Sequence, residues 1–434
     1  MTGAAAGILP PRRIRVVGIA DTDSYVKWAA ALVGSAPATW DRSMRILDTP
    51  LAVSDDQLRA ALTTSGLSVD AVARLTLAQL EESVADDPPD VVIIGARGPL
   101  ARVLVRLFAT LPGRPVVVTG LPGISVPATR KALFYRQGAD LFVVHSRRER
   151  TEFAALSATT GLPHRFALAT LPFAAAAARA GGQGRAPEAT DIVFAAQAIV
   201  PSDREDRVRL AGMLRSLASA DSSRRVVVKL RAAAGEHQTH LERDAFPELL
   251  RSLGESPENL VLSTAPMQAA LDQAAGLVTV SSTAAIEAIA RGIPVLALDT
   301  FGVSPALINV VFEGSGLLGG EDDLLAGRFR LPAASWLREN YLHDPAEDDW
   351  IPAVERMVGF RRQGLLAHPA LPTGRGGRLR LAWERKSVFG EMDRSPAGRW
   401  ALAVGVPART VVRTARRVRT RLQVSRSAGP MSSR

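Results

Sequence analysis

The chain has 434 residues, of which 47% are hydrophobic, enough for two or three globular domains with sizeable cores. It has no cysteine, which excludes disulfides, thiol catalysis and cysteine metal sites, and its six histidines include one closely spaced pair, His237 and His240, so we expect no metal centre. Residues 371–434 carry 15 Lys or Arg against three acidic residues, so the net charge of +10 belongs to this tail, and the preceding residues, at −2, lack the basic surface of a nucleic-acid-binding domain.

The N-terminal residues do not have the pattern of an export signal. Their charges follow the short apolar stretch, whereas a secretory signal places its charges first. No apolar run approaches the ~20 residues that span a bilayer. We therefore expect a cytoplasmic protein.

Alternating strand-like and helix-like segments begin near residue 12. Ile14–Ile19 is predicted to be a strand, and the polar residues 21–24 separate it from a helix that carries Trp28 and Leu32. Further strands are predicted at residues 90–95, 115–119 and 140–144, and a helix at 100–111. Their near-continuous apolar character is typical of parallel strands buried on both faces. Residues 12–175 are therefore predicted to form a Rossmann-like domain.

A second series of the same kind follows an alanine- and glycine-rich stretch, residues 174–190, which we interpret as a linker. Strands are predicted at residues 192–195, 225–230, 260–262, 277–280 and 295–298, and helices at 203–218, 240–253 and 350–359. Residues 190–362 are thus predicted to be a second Rossmann-like domain. Right-handed crossovers would place the carboxyl ends of both sets of strands in one cleft.

Residues 363–434 form the basic tail. Between residues 408 and 424 the apolar side chains fall on one helical stripe, and six arginines between Arg409 and Arg421 cover the rest. Such a basic amphipathic helix is predicted to bind an anionic membrane surface. The alternatives are a disordered solubilising tail, or one that meets RNA without specificity.

A hydroxyl-rich turn follows the predicted strand 277–280. Ser281, Ser282 and Thr283 stand where this strand gives way to a short alanine-rich helix. The backbone N–H groups at the helix start and the three hydroxyls are suited to a phosphate, although Ser and Thr also cap helices with no ligand present. Glu287, one helical turn later, either orients a ribose hydroxyl or this turn, or is a helix-face carboxylate.

The turn and its surroundings resemble known glycosyltransferases. Residues 278–287, followed by Gly292-Ile-Pro-Val295, resemble the serine motif with which bacterial capsule polysaccharide transferases and sialyltransferase-like enzymes meet the donor phosphate. Segments similar to an uncharacterised actinobacterial family described as glycosyltransferases lie at residues 20–28, 119–124, 196–201, 228–231 and 235–240. The resemblance implies an α/β fold of the GT-B type, with an N-terminal acceptor domain and a C-terminal donor domain facing a cleft. It also implies a nucleotide-sugar donor, with no cofactor and no metal.

The donor side of the cleft is expected to include more than the turn. Related transferases carry a His-Pro pair where this chain has Lys229 and Arg231, and either cation could contact phosphate directly. Glu236 lies in the loop that follows, where a polar residue is also ordinary. Gln197, in one of the family-like segments, completes the expected donor-binding set.

A general base is expected near the acceptor hydroxyl. Asp21 and Asp23 follow the first strand, and two such close carboxylates could have separated pKa values that leave one as the base. Alternatively, Asp23 or Ser24 only caps the next helix. His240 is the second candidate for the base. Residues expected to line the cleft or contact the acceptor are Ser24, Lys27, Gly120 and Gly123, of which Lys27 could equally lie on a solvated helix face.

These features predict a metal-independent GT-B glycosyltransferase that acts on a cell-surface glycan or a lipid-linked acceptor. Two alternatives remain open at this point. A nucleotide-sugar epimerase shares the two-domain architecture and needs no second substrate, and a non-catalytic nucleotide-sugar or glycan-binding protein could retain the fold.

Overall fold

The computed structural model describes residues 12–51, 53–171, 174, 188–230, 244–369, 371 and 377–401. Over these residues the chain forms two parallel β-sheets, each with hydrophobic clusters on both faces. This arrangement confirms the predicted pair of Rossmann-like domains and the GT-B-like fold. Most of the expected linker, residues 174–190, and the expected amphipathic helix, residues 408–424, lie outside the described residues.

The first sheet has seven strands in the order β3-β2-β1-β4-β5-β6-β7, all parallel. The strands are β1 (Arg15–Ala20), β2 (Asp41–Leu47), β3 (Val72–Leu75), β4 (Val91–Gly95), β5 (Val116–Gly120), β6 (Leu141–Val144) and β7 (Phe166–Leu168). The helices are α1 (Asp23–Ser35), α2 (Asp55–Ser65), α3 (Leu77–Asp86), α4 (Gly98–Ala109), α5 (Arg130–Arg136) and α6 (Arg147–Thr160), with a 3-10 turn at Val69–Ala71. Strand order reverses between β1 and β4, the position where open α/β sheets bind ligands.

The second sheet has six strands in the order β10-β9-β8-β11-β12-β13, also parallel. The strands are β8 (Asp191–Ala195), β9 (Val226–Lys229), β10 (Leu260–Ser263), β11 (Ala274–Thr279), β12 (Val295–Leu298) and β13 (Leu318–Gly319). The helices are α7 (Arg204–Ala220), α8 (Phe246–Ser252), α9 (Met267–Asp272), α10 (Ala284–Ala290), α11 (Glu321–Leu325), α12 (Ala334–Glu339), α13 (Trp350–Arg362) and α14 (Gly377–Phe389). Short 3-10 turns lie at Val310–Phe312, Pro345–Glu347 and Gly390–Met392. Here the strand order reverses between β8 and β11.

Residues 41–86, in which no element was predicted, form β2, α2, β3 and α3. Strand β2 has the sequence Asp-Arg-Ser-Met-Arg-Ile-Leu and is only partly buried, unlike β4 and β5, in which every residue is buried. Strands near the edge of a sheet are covered less completely, so they lack the continuous apolar run used to recognise the central strands.

Helix α13 packs against the first sheet, although it follows the second sheet in the chain. Trp350, Val354 and Val358, spaced four residues apart, are buried in the same cluster as Val16 and Val116. The sequence-based division placed residues 350–362 at the end of the second domain, whereas their apolar face belongs to the core of the first. The chain therefore returns to the first domain after completing the second.

We expect Trp350→Ala to destabilise the first domain by about 3 to 5 kcal/mol, because the replaced ring is 2% exposed and would leave a cavity. Phe360→Ala is the matched control on the same helix, since Phe360 is 50% exposed and should change stability little. Urea unfolding of both variants checks the difference. Equal stability of the two variants would contradict the packing of α13.

Candidate functional site

The carboxyl ends of the two sheets meet at one contact. The loop after β5 reaches the turn after β11, where the Ile124 amide donates to Thr283 Oγ1 at 3.5 Å. Gly123 adopts a positive φ of 80°, and a Cβ atom at this position would collide with Thr283 Oγ1. Glycine is thus required here by both backbone conformation and space. The region around this contact is called the cleft below.

The end of β1, at the carboxyl edge of the first sheet, carries buried oxygens without hydrogen-bond partners. Asp21 is fully buried, and its Oδ2 accepts a hydrogen bond from Arg97 Nε at 3.0 Å. Asp21 Oδ1, Thr22 Oγ1 and Asp23 Oδ1 are also buried, and none has a hydrogen-bond partner among the described residues. Burial raises the pKa of Asp21, and the Arg97 charge opposes this shift. Buried polar atoms usually have partners, so three consecutive residues of this kind are suited to a polar ligand.

Asp23 does not cap helix α1. Thr22 occupies the N-cap position without a side-chain cap hydrogen bond, and Asp23 and Ser24 lie within the first turn. Asp23 Oδ2 instead accepts from Lys27 Nζ at 3.1 Å, one turn further along the helix. The alternative in which Asp23 or Ser24 only caps helix α1 is therefore wrong.

The three hydroxyls of the turn after β11 have different partners. Ser281 and Gln197 bind each other, with Gln197 Nε2 donating to Ser281 Oγ at 3.0 Å and the Ser281 amide donating to Gln197 Oε1 at 2.9 Å. Ser282 Oγ accepts from the Ala284 amide at 3.2 Å, which is a helix-start contact. Ser282 lies just before the N-cap residue Thr283, whose side chain makes no cap hydrogen bond. Gln197 holds the turn against β8, and Thr283 faces the first domain.

Charged groups of the two domains oppose each other across the cleft. Glu287 lies 3.5 Å from Arg291 on α10. Burial raises the pKa of Glu287, while the charges of Arg291 and of Lys27 in the first domain lower it. The charge of Lys27 therefore interacts with two carboxylates, Asp23 of its own helix and Glu287 of the second domain.

Lys229 is buried at the end of β9, where its Nζ donates to the Leu230 carbonyl. It stands beside Ala195, the last residue of β8, in the register of the sheet. This position is consistent with the expected donor side of the cleft. Arg231, Glu236, His237 and His240 lie outside the described residues, so their expected roles stay predictions.

Trp28 and His145 form a buried pair that the sequence did not indicate. Trp28 Nε1 donates to His145 Nε2 at 2.7 Å, so the proton of the neutral ring is on Nδ1, which faces the Ala169 carbonyl at 2.7 Å. Burial lowers the pKa of His145 to about 4. The pair fixes the Trp28 ring against Gly120, where a Cβ atom would collide with it. Gly120 therefore shapes the first-domain wall of the cleft.

Glu149 joins the two domains. Its Oε1 accepts from the Ser125 amide at 2.9 Å and from the Tyr341 hydroxyl at 2.6 Å, and its Oε2 accepts from the His145 amide at 2.8 Å. Tyr341, which is fully buried in the core of the second domain, also accepts from the Ser125 amide at 3.0 Å. Burial outweighs these donors and raises the pKa of Glu149 to about 7. Glu149 sits in an arginine-rich segment typical of a solvated helix start, so the sequence carried no signal of this role.

The described residues offer neither a metal-ion cluster nor a membrane-spanning helix. Within the described ranges, no three His, Asp or Glu side chains are grouped so that they could hold a metal ion. Among the same residues, no helix has the length and hydropathy required to cross a bilayer.

Comparison with known proteins places the chain in a family. A family model described as "Putative glycosyltransferase (DUF6716)" matches residues 16–357. The chain belongs to this family. None of the curated proteins compared with the sequence matches it.

Solved structures share the two-domain fold of this family member. Methanocaldococcus jannaschii UDP-GlcNAc 2-epimerase in complex with UDP-GlcNAc and UDP matches with a TM-score of 0.52 and 11% identity, covering 81% of this chain and 100% of that one. The UDP complex of Staphylococcus aureus MnaA matches with a TM-score of 0.50 and 13% identity, covering 82% and 98%. The spinosyn rhamnosyltransferase SpnG has a TM-score of 0.35 and 16% identity, with 82% and 97% covered. The protein is a GT-B enzyme of a glycosyltransferase family.

We expect the stability of the protein to depend on pH through Glu149. Because its folded pKa of about 7 exceeds the ordinary value of 4.5, the folded state holds the proton more tightly, so this contribution is complete below pH ~4.5 and is lost as pH rises through 7. This contribution of Glu149 to the free energy of unfolding is roughly 3 kcal/mol. Glu149→Gln cannot ionise, so the difference in unfolding free energy between wild type and variant should change between pH 5 and pH 8. Parallel pH profiles of the two proteins would contradict the assignment.

Proposed function

We propose that the protein transfers a sugar from a nucleotide-sugar donor to a hydroxyl group of a cell-surface glycan or glycolipid, without a metal ion. The family supports glycosyl transfer. The neighbours that contain UDP or UDP-GlcNAc support a nucleotide-sugar as donor. The nucleotide base and the sugar stay open.

One observation carries the proposal: buried oxygens of Asp21, Thr22 and Asp23 have no hydrogen-bond partner at the carboxyl end of β1, and the loop after β5, at the same edge of the sheet, reaches Thr283 of the hydroxyl-rich turn. We take these two groups as the two walls of the cleft. Sugar hydroxyls are donors that would satisfy such buried acceptors. A glycosyl acceptor at the first wall and a donor phosphate at the second would bring the two reacting centres together. Water exclusion by the domain contact would then limit hydrolysis.

The donor phosphates are assigned to the second domain. Thr283 and Lys229 stand at the carboxyl ends of β11 and β9, and Arg231 and Glu236 follow Lys229 in the chain. A cation near the leaving phosphate stabilises the charge that develops as the glycosidic bond breaks. Glu287, supported by Arg291, is suited to a ribose hydroxyl.

Asp23 is assigned as the general base. The acceptor oxygen forms a bond to the anomeric carbon, the bond from that carbon to the donor phosphate breaks, and the acceptor proton passes to Asp23. Asp21 is bound to Arg97 and is the second carboxylate candidate, while His240 is the candidate outside the described residues. Lys27 holds Asp23 in place before the acceptor arrives.

Replacing Ser282 and Thr283 together by Ala should weaken nucleotide binding by about 1 to 3 kcal/mol, because hydrogen bonds to a charged group are lost. Ser54→Ala removes the N-cap hydroxyl of α2 in the first domain and should leave binding unchanged. Titration calorimetry with a nucleotide that binds the wild type measures both. If the double variant binds the nucleotide with unchanged affinity, the turn serves only the start of α10 and the contact with the first domain.

Asp23→Asn should lower turnover by about 10² to 10⁴ while donor affinity is retained, because the amide cannot accept the proton. Asp56→Asn, in the exposed first turn of α2, is the control and should retain full turnover. Initial rates with a labelled nucleotide sugar give the comparison. Full activity in both Asp21→Asn and Asp23→Asn would exclude the two carboxylates and favour His240.

An epimerase is the second candidate function, because the neighbours with TM-scores of 0.50 and above include UDP-GlcNAc 2-epimerases. The two functions differ in their need for an acceptor. Nucleotide sugars that raise the melting temperature of the protein should be incubated with it alone and followed by NMR. Conversion to an epimer without an acceptor would support the epimerase, and stabilisation by no nucleotide would leave a non-catalytic role.

We place the enzyme on the inner face of the cytoplasmic membrane, where a lipid-linked acceptor would be reached. Six arginines between Arg409 and Arg421 have no acidic residue among them. Each basic residue near an anionic surface contributes about 1 kcal/mol to binding at moderate salt. Binding by the tail should therefore be reversible and sensitive to salt.

A further inference from the structure

The last described residues present an exposed tryptophan on the outside of a helical segment. Residues 396–401 are helical, and Ala401 is buried against the rest of the protein. Pro396, Ala397 and Trp400, three and four residues apart, lie exposed on the outer side, and Trp400 is 72% exposed. Large aromatic side chains are seldom left this exposed on a surface that meets only water.

The exposed residues near Trp400 in the chain include an apolar side chain and two basic ones. Met392 is 54% exposed, and Arg394 and Arg399 are exposed beside it in the chain. Of the two nearby acids, Glu391 is exposed, whereas Asp393 is buried and accepts from the Ser395 amide at 3.0 Å. The sequence that follows, residues 402–434, contains eight arginines and no acidic residue. The described part of the chain therefore ends beside an exposed tryptophan, and the sequence that follows it is strongly positive.

We propose that Trp400 and Met392 dock into the headgroup region of an anionic lipid surface, with Arg394 and Arg399 at the lipid phosphates. Tryptophan favours the interface between water and lipid, because its ring is apolar and its N–H is polar. One weak signal gives only marginal membrane binding, and a second signal strengthens it; here a short apolar contact precedes a cationic segment in the chain. An RNA partner would bind the arginines, but it would give the exposed Met392 side chain no role in binding. The surface deepens the proposed function by adding a lipid contact, and its test requires no catalysis.

Full-length protein should sediment with phosphatidylglycerol vesicles and not with phosphatidylcholine vesicles. Trp400→Ala should lower the vesicle affinity by about threefold to tenfold, because the apolar contact is lost while every arginine remains. Leu331→Ala is the control, since Leu331 is 57% exposed in the second domain and should not affect affinity. Vesicles should also shift the tryptophan emission to shorter wavelength in wild type, and this shift should be lost in Trp400→Phe.

Equal vesicle affinity of wild type and Trp400→Ala would overturn the proposal, and so would an emission shift that persists in Trp400→Phe. Binding to poly(U) RNA is measured in the same way. If Trp400→Ala weakens RNA binding as much as it weakens vesicle binding, the surface belongs to nucleic acid and the proposal is overturned. Nucleotide binding is measured on the same samples. A wild type that binds vesicles through Trp400 but binds no nucleotide contradicts the proposed function and leaves the lipid surface supported.

Discussion

The Tyr341 hydroxyl of the second domain and the Ser125 amide of the first donate to the same oxygen of Glu149, at 2.6 and 2.9 Å. Glu149 and Tyr341 are buried and Ser125 is half-buried, so separating them would leave a carboxylate and a hydroxyl without a partner and away from water. Ser125 belongs to the loop that contacts Thr283. The position of the turn at residues 281–283 relative to the first sheet therefore depends on the Glu149 carboxylate.

Helix α13 supplies the apolar counterpart of that polar link. Trp350 and Val354 bury their side chains in the first core, so the chain that completes the second domain is anchored on the first. Its last turn adds an ion pair, in which Arg361 Nη1 lies 2.7 Å from Asp90 Oδ1. Two attachments at different places restrict how far the sheets can separate. The arrangement of the two sheets around the contact between Gly123 and Thr283 is therefore held by the packing of α13 as well as by the hydrogen bonds of Glu149.

The sequence was sufficient to predict the central strands and the residues at their carboxyl ends. Parallel strands buried on both faces are continuous apolar runs, and the residues that follow them directly lie at the carboxyl edge of the sheet, which located Asp21, Gly123 and Thr283 at that edge. It was not sufficient for Glu149 and Tyr341, which are 192 residues apart and lie in segments without a distinctive pattern. Their role arises only when two domains are packed together. The mixed polar sequence of β2 was missed for the related reason that partial burial leaves a weaker pattern.

The charges of the cleft suggest how donor and base are connected. Lys27 is bound to Asp23, and its charge also acts on Glu287 across the cleft. A donor phosphate that enters between the domains is an additional anion competing for Lys27, whose side chain is 53% exposed and free to turn towards it. On the proposed function, a move of Lys27 to the phosphate would leave both oxygens of Asp23 available to the acceptor hydroxyl. On the proposed function, occupation of the donor site would thus release the base, and an acceptor bound without a donor would meet a carboxylate still held by Lys27.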